Sequence, residues 1–135
     1  MVATQSSMLK LGTKASSFKL FDTNSGRTVS FSSSTIGKGF LFAFICNHCP
    51  FVIHLREVLA TLTGELIDRG LTVVGISSND AQTYPQDGPE LMKKERQLSG
   101  YRFPYLYDES QEVAKAFEAA CTPDFFLYDA QQKLV

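Results

Sequence analysis

The sequence predicts an α/β domain with a mixed central β-sheet flanked by helices. Three observations carry this. The stretch 40–45 is continuously apolar and rich in Phe, as a strand buried on both faces would be. Helical periodicity follows at once: Phe51, Leu55, Val58, Leu59, Leu62 and Leu66 recur at steps of three and four, with Arg56, Glu57, Glu65 and Asp68 on the other side. A second apolar run, 71–76, begins after Gly70, a residue suited to the left-handed position beyond a helix end. Strand, helix and strand in this order make a βαβ unit, so the two strands should be parallel with a right-handed crossover.

The flanking elements follow from local pattern. Residues 1–14 read as a flexible polar leader and 15–135 as the domain. The alternating stretches 18–21 and 28–31 enclose Asp22-Thr23-Asn24-Ser25-Gly26, a turn composition, and predict a β-hairpin. A serine-rich loop and Gly37-Lys38-Gly39 lead into the first buried strand. Residues 77–88 form a long polar loop, a kind of segment that often carries function. Pro89 fits the first turn of a helix running to about Ser99. A short strand is expected at 103–107, where Pro104 argues against full sheet pairing at its start. Asp108 precedes Gln111 by three residues, a capping-box-like start for a helix to about Phe117. An antiparallel edge strand begins at Phe125, and 133–135 open a further strand. The hairpin they would complete, and a final helix over one sheet face, are expected to be truncated. That would leave an apolar face bare, or covered by a second copy of the chain in a homo-oligomer.

Composition narrows the function classes. A chain of 135 residues can bury one core. Its 13 basic and 14 acidic side chains leave a net charge of -1 with no basic stripe, which argues against nucleic acid as a partner. The longest apolar run is too short to cross a bilayer, and residues 1–14 lack a signal-peptide pattern, so a cytoplasmic protein without a membrane partner is expected. Three cysteines, Cys46, Cys49 and Cys121, do not describe a disulfide-stapled domain.

The chemistry concentrates in Cys46-Asn47-His48-Cys49-Pro50, where a buried strand meets a helix start. The thiolate is the reactive form, and a helix N-terminus offers unpaired N–H groups and partial positive charge to hold it. Pro50 is tolerated only in the first helical turn. Asn47 is a good N-cap, or Cys46 itself takes that place. Either would put Cys46 at the exposed tip and Cys49 about one turn in, within disulfide reach. Cys46 is therefore expected to attack a partner disulfide and Cys49 to resolve the mixed disulfide. Asn47 and His48, between the cysteines, tune the pair; a protonated His48 would favour the reduced, ionised form. No cofactor is expected. The alternatives are two inert buried thiols, or a zinc or copper site using Cys46, Cys49, His48 and Cys121, for which one cysteine pair is a sparse ligand set. His54 reads as a surface histidine, Asp80 as a loop-capping aspartate, and Glu109, Glu112 and Lys115 as a solvated helix face.

Several segments together resemble the peroxiredoxin-like branch of the thioredoxin superfamily, the thiol-specific-antioxidant (alkyl hydroperoxide reductase) type. They are Phe44-Ile45-Cys46-Asn47-His48-Cys49-Pro50-Phe51-Val52, Ser78-Asn79-Asp80-Ala81, Tyr84-Pro85-Gln86-Asp87, Phe103-Pro104-Tyr105-Leu106-Tyr107-Asp108-Glu109 and Cys121-Thr122-Pro123-Asp124-Phe125-Phe126-Leu127. The resemblance runs from about Leu11 to Val135. It implies a thioredoxin-like fold, with Cys46 and Cys49 as the redox pair. It also implies a cis bond at Thr122-Pro123, whose backbone would line a groove for an extended partner. Protein or small-molecule disulfides are the implied substrates, with hydroperoxides as the alternative, and Cys121 is a candidate third thiol. Two departures stand out. Aligned on Cys49, the threonine of the peroxidatic Pro-X-X-X-Thr-X-X-Cys motif is Cys46 and its proline is Phe42, which argues against an efficient peroxidase. Glu118 stands where the family usually has Gly, just past a helix, at a cost of about 1 kcal/mol.

Overall fold

The computed structural model describes residues 7–135. Six strands form one sheet in the order β2-β1-β5-β4-β3-β6. The hairpin β1 (Phe18–Asp22) and β2 (Thr28–Phe31) forms as expected, and β1 pairs antiparallel with β5 (Tyr105–Tyr107). At the centre, β3 (Gly39–Phe44), β4 (Thr72–Ser77) and β5 run parallel, and β6 (Asp124–Asp129) closes the other edge antiparallel to β3. Helix α1 (Pro50–Asp68) crosses from β3 to β4, and α2 (Pro89–Ser99) from β4 to β5. Helix α3 (Glu112–Phe117) precedes β6. This is the mixed α/β sheet of a thioredoxin-like fold.

The side chains of β3 alternate between two cores, which is why its sequence is apolar throughout. Leu41, Ala43 and Ile45 pack with Val52 and Leu59 of α1 and Met92 of α2. Phe40, Phe42 and Phe44 pack with Phe18, Phe31, Phe117, Phe126 and Tyr128 on the other face. No bare apolar face is therefore left over β3; exposed apolar side chains of the sheet include Phe125 and Leu127 on edge strand β6. Residues 1–6 of the expected leader lie outside the described residues. Within its remainder, Leu9 packs on the second core, and Gly12 N–H donates to Leu134 O at 2.7 Å.

Three local expectations need correction. Helix α1 buries Val52, Leu59, Thr63 and Gly64, whereas Phe51, Val58 and Leu62 are exposed. Apolar residues lie on more than one side of this helix, so periodicity alone anchored the stripe one residue off. The small residues Thr63 and Gly64 belong to the buried side, where Thr63 satisfies its hydroxyl on Leu59 O at 2.6 Å. Helix α3 starts later than a capping box at Asp108 predicts. Gln111 takes a left-handed φ of 65°, and Asp108 reaches forward to accept from the N–H groups of Val113 and Ala114 at 3.3 and 2.9 Å. Residues 133–135 form only isolated bridges, Lys14 with Lys133 and Tyr128 with Leu134, rather than a strand.

Candidate redox site

Strand β3 ends at Phe44, and Ile45 N–H still donates to Ile76 O at 2.9 Å, holding the chain against β4 up to the first cysteine. The segment 46–49 then turns into α1. The N-cap is Cys49, with extended backbone (φ -66°, ψ 122°), and Pro50 is the first helical residue. This corrects the expected cap at Asn47 or Cys46. Proline fits without loss where its missing N–H has no intrahelical partner, which is the first helical position. Cys49 therefore stands at the helix tip rather than one turn in. Cys46 does not lie at an exposed tip: Cys46 and Cys49 are 1% and 2% exposed.

Both sulfurs meet Thr122, from the loop before β6. Cys46 Sγ lies 3.6 Å from Thr122 Oγ1, and Cys49 Sγ donates to Thr122 O at 3.3 Å. The Thr122-Pro123 bond is cis. All three cysteines are free thiols, and Cys46 and Cys49 do not stand at disulfide distance.

The two thiols differ in acidity. Burial pushes Cys46 up to about 11; the hydrogen bond with Thr122 lowers it, and the charge of Asp87 raises it again. Burial opposes ionisation of Cys49 as well. Hydrogen bonds from Thr122 and from the N–H groups of Val52 and Phe51 outweigh it, and the pKa falls below the ordinary thiol value. The helix N-terminus thus acts on Cys49.

Asp87 holds the segment between the cysteines. It ends a short 3₁₀ turn, Pro85–Asp87, inside the long polar loop, and it is fully buried. Its Oδ1 accepts the backbone N–H groups of Asn47 and His48 at 2.7 and 3.1 Å. Its Oδ2 meets His48 Nδ1 and accepts from Asn79 Nδ2 at 3.3 Å. Asn47 is tied further, donating to Gln86 O at 2.6 Å and accepting from Tyr105 Oη at 3.0 Å. The His48 ring stacks on Tyr84, with centroids 4.0 Å apart and planes 6° from parallel. Asp87, Tyr84, Asn79 and Tyr105 were not among the expected site residues. The signals for them were the length of the loop 77–88 and their places in the quoted segments Ser78-Asn79-Asp80-Ala81, Tyr84-Pro85-Gln86-Asp87 and Phe103-Pro104-Tyr105-Leu106-Tyr107-Asp108-Glu109; no periodicity reveals where a loop carboxylate folds back.

Cys46 Sγ, a ring nitrogen of His48 and a carboxylate oxygen of Asp87 lie within 4.8 Å of one another, the closest approach to a metal-ligand cluster among the described residues. Both Asp87 oxygens already accept N–H donors, and neither Cys49 nor Cys121 joins the group, so the expected four-ligand set does not assemble. Cys121 is partly exposed and donates from Sγ to Pro123 O at 3.5 Å. Burial, then Asp124, raises its pKa. With Thr122 it lines a cavity of about 210 Å³ that Phe44, Ser78, Asn79 and Lys115 also border. His54 is exposed, and Asp80 accepts from Gln82 N–H and Thr83 Oγ1 at 2.9 and 2.6 Å, as a loop-capping residue does.

The AhpC/TSA family matches residues 11–135. Among curated proteins, none matches the chain by sequence. Two solved structures are similar over nearly the whole chain. An uncharacterized conserved protein from Geobacillus kaustophilus is 46% identical, with TM-score 0.94, covering 100% of this chain and 71% of that one. A hypothetical protein from Sinorhizobium meliloti is 48% identical, with TM-score 0.93, covering 98% and 72%. The thioredoxin domain of a thiol-disulfide oxidoreductase from Bacteroides vulgatus shares the fold at 22% identity, with TM-score 0.75, covering 94% and 86%.

Proposed function

Since the chain belongs to the AhpC/TSA family, we propose that it is a thiol–disulfide oxidoreductase with an antioxidant role, working through Cys46 and Cys49. The observation that carries this reading is the pair's shared contact with Thr122 at a helix N-terminus, where the two thiols have opposite acidity shifts. That contrast favours reversing the roles expected from sequence. Cys49 is the readier thiolate and attacks the partner disulfide; Cys46 resolves the mixed disulfide. Thr122 and Pro123 border the partner's groove, and Asn47 and His48 shape the segment between the sulfurs. The substrates are protein or small-molecule disulfides. Oxidation brings the two sulfurs together by rotation of the cysteine side chains.

A second reading, a thiol-dependent peroxidase, draws on the position of Cys49 at the helix tip. A hydroperoxide would oxidise Cys49 to a sulfenic acid, and Cys46 would condense with it. Two measurements separate these readings. Reduced protein is expected to reduce insulin disulfides; rapid peroxide consumption with no insulin reduction would overturn the lead. Mixed disulfides are expected to accumulate on Cys49 in Cys46→Ser. Accumulation instead on Cys46 in Cys49→Ser would restore the original order.

A further inference from the structure

A resolving thiol that is buried and protonated needs somewhere to send its proton. Burial keeps Cys46 protonated at neutral pH, so resolution at that pH requires a base close to its sulfur. Among the described residues, a His48 ring nitrogen and an Asp87 carboxylate oxygen lie within 4.8 Å of it; both Asp87 oxygens already accept N–H donors, which leaves the imidazole as the proton acceptor. Its ring is constrained twice over, by Asp87 at Nδ1 and by the face of Tyr84. With Nδ1 donating to a carboxylate, the neutral ring keeps Nε2 as its proton acceptor.

Resting on the redox reading above, we propose that Asp87 is a positioning residue that holds His48 in the tautomer and orientation that take the Cys46 proton and pass it to the departing thiol. The step balances. The mixed disulfide joins Cys49 Sγ to the partner's sulfur. The Cys46 proton moves to His48 Nε2, directly or over one water, and Cys46 Sγ attacks Cys49 Sγ. The Cys46–Cys49 bond forms and the Cys49–partner bond breaks. The partner leaves with the electron pair as a thiolate and takes the proton from the His48 imidazolium. The pair is oxidised by two electrons and the partner reduced by two. The groups facing His48 are Asp87 and Tyr84 from the long loop and Cys46 from its own segment. Tyr105 of β5 acts one bond away through Asn47, with Tyr101 and Glu95 beyond it.

The test uses Asp87→Asn. The introduced amide oxygen still accepts the two backbone N–H groups, but its NH₂ now faces His48 Nδ1. The neutral ring must then accept at Nδ1 and carry its proton on Nε2, where it no longer takes one from Cys46. Reduced full-length protein is mixed with an aromatic disulfide that releases a coloured thiol at each step, so attack and resolution appear as two phases. Asp87→Asn is expected to slow the second phase by roughly 10- to 100-fold while changing the first phase by less than about threefold. Nitrogen NMR of the His48 ring should report the tautomer change. His48→Gln should reproduce the slow second phase, and it serves if Asp87→Asn does not fold. A purely electrostatic role makes the opposite prediction: removing the Asp87 charge eases Cys46 ionisation and speeds resolution. A second phase as fast as wild type or faster would overturn the relay. Absence of both phases in the wild type would instead refute the redox reading on which it rests.

Discussion

The proposed chemistry turns on which of two buried thiols ionises. Burial opposes both, so hydrogen bonding decides. Cys49 stands where the first N–H groups of α1 have no intrahelical partner, and they help offset its burial. Cys46, three residues earlier, is packed more deeply and lies near the Asp87 charge. The sign follows directly. A lowered pKa means that Cys49 gains thiolate at a lower pH than an ordinary cysteine, whereas Cys46 stays protonated until the pH approaches about 11. Thiolate ultraviolet absorbance, followed against pH in Cys46→Ser/Cys121→Ser and Cys49→Ser/Cys121→Ser proteins, should give two titrations in that order. Coincident curves, or the reverse order, would remove the basis for assigning attack to Cys49.

At the scale of elements, two helices show where local sequence and tertiary structure disagree. Helix α3 closes on Glu118 in a left-handed conformation, φ 57° and ψ 38°, which strains any residue with a Cβ. Glu118→Gly should therefore raise the free energy of unfolding by about 1 kcal/mol, less the entropy glycine adds to the unfolded chain. Denaturant titration reads this, and a loss of stability would contradict it. Helix α1 offers a sharper contrast. Leu59→Ala removes a buried side chain and should cost about 2–5 kcal/mol, while Phe51→Ala, half-exposed in the first turn of the helix, should change stability by only about 0.5 kcal/mol. Equal losses would restore the face that periodicity suggested.

Across the whole molecule, the aromatic side of the sheet ties distant segments together. Phe42 of β3 meets the rings of Phe18, Phe31, Phe117 and Tyr128, drawn from β1, β2, α3 and β6, with centroids between 5.0 and 5.7 Å away. Phe42→Ala should cost about 3–5 kcal/mol, and the loss should appear as one cooperative transition because β1, β2, α3 and β6 all share this contact. An early transition confined to the β1–β2 hairpin would show that the hairpin is not part of that unit. The same sheet delivers the site. The end of β3 presents Cys46, the loop after β4 brings Asp87, β5 supplies Tyr105, and the approach to β6 brings Thr122. Four segments far apart in sequence meet at one end of the sheet.

Much of this was legible in the residues. The apolar runs 40–45 and 71–76 are unambiguous because a strand buried on both faces leaves no polar alternation, and Pro50 and Gly70 bracket the helix between them. Cys46-Asn47-His48-Cys49 marked the proposed redox pair through its spacing and its place at a strand-to-helix junction. Local pattern could not rank the two thiols, because acidity depends on desolvation and on N–H groups whose direction follows from where α1 begins. Nor could it find Asp87, whose importance comes from a loop folding 40 residues back along the chain to grip two amides and an imidazole. The sequence by itself determined the sheet, its parallel centre and the pair of thiols, since these follow from periodicity and residue type. Which sulfur ionises and which carboxylate stands behind the histidine were decided by the tertiary structure alone, because charge, burial and hydrogen-bond direction exist only once the segments have met.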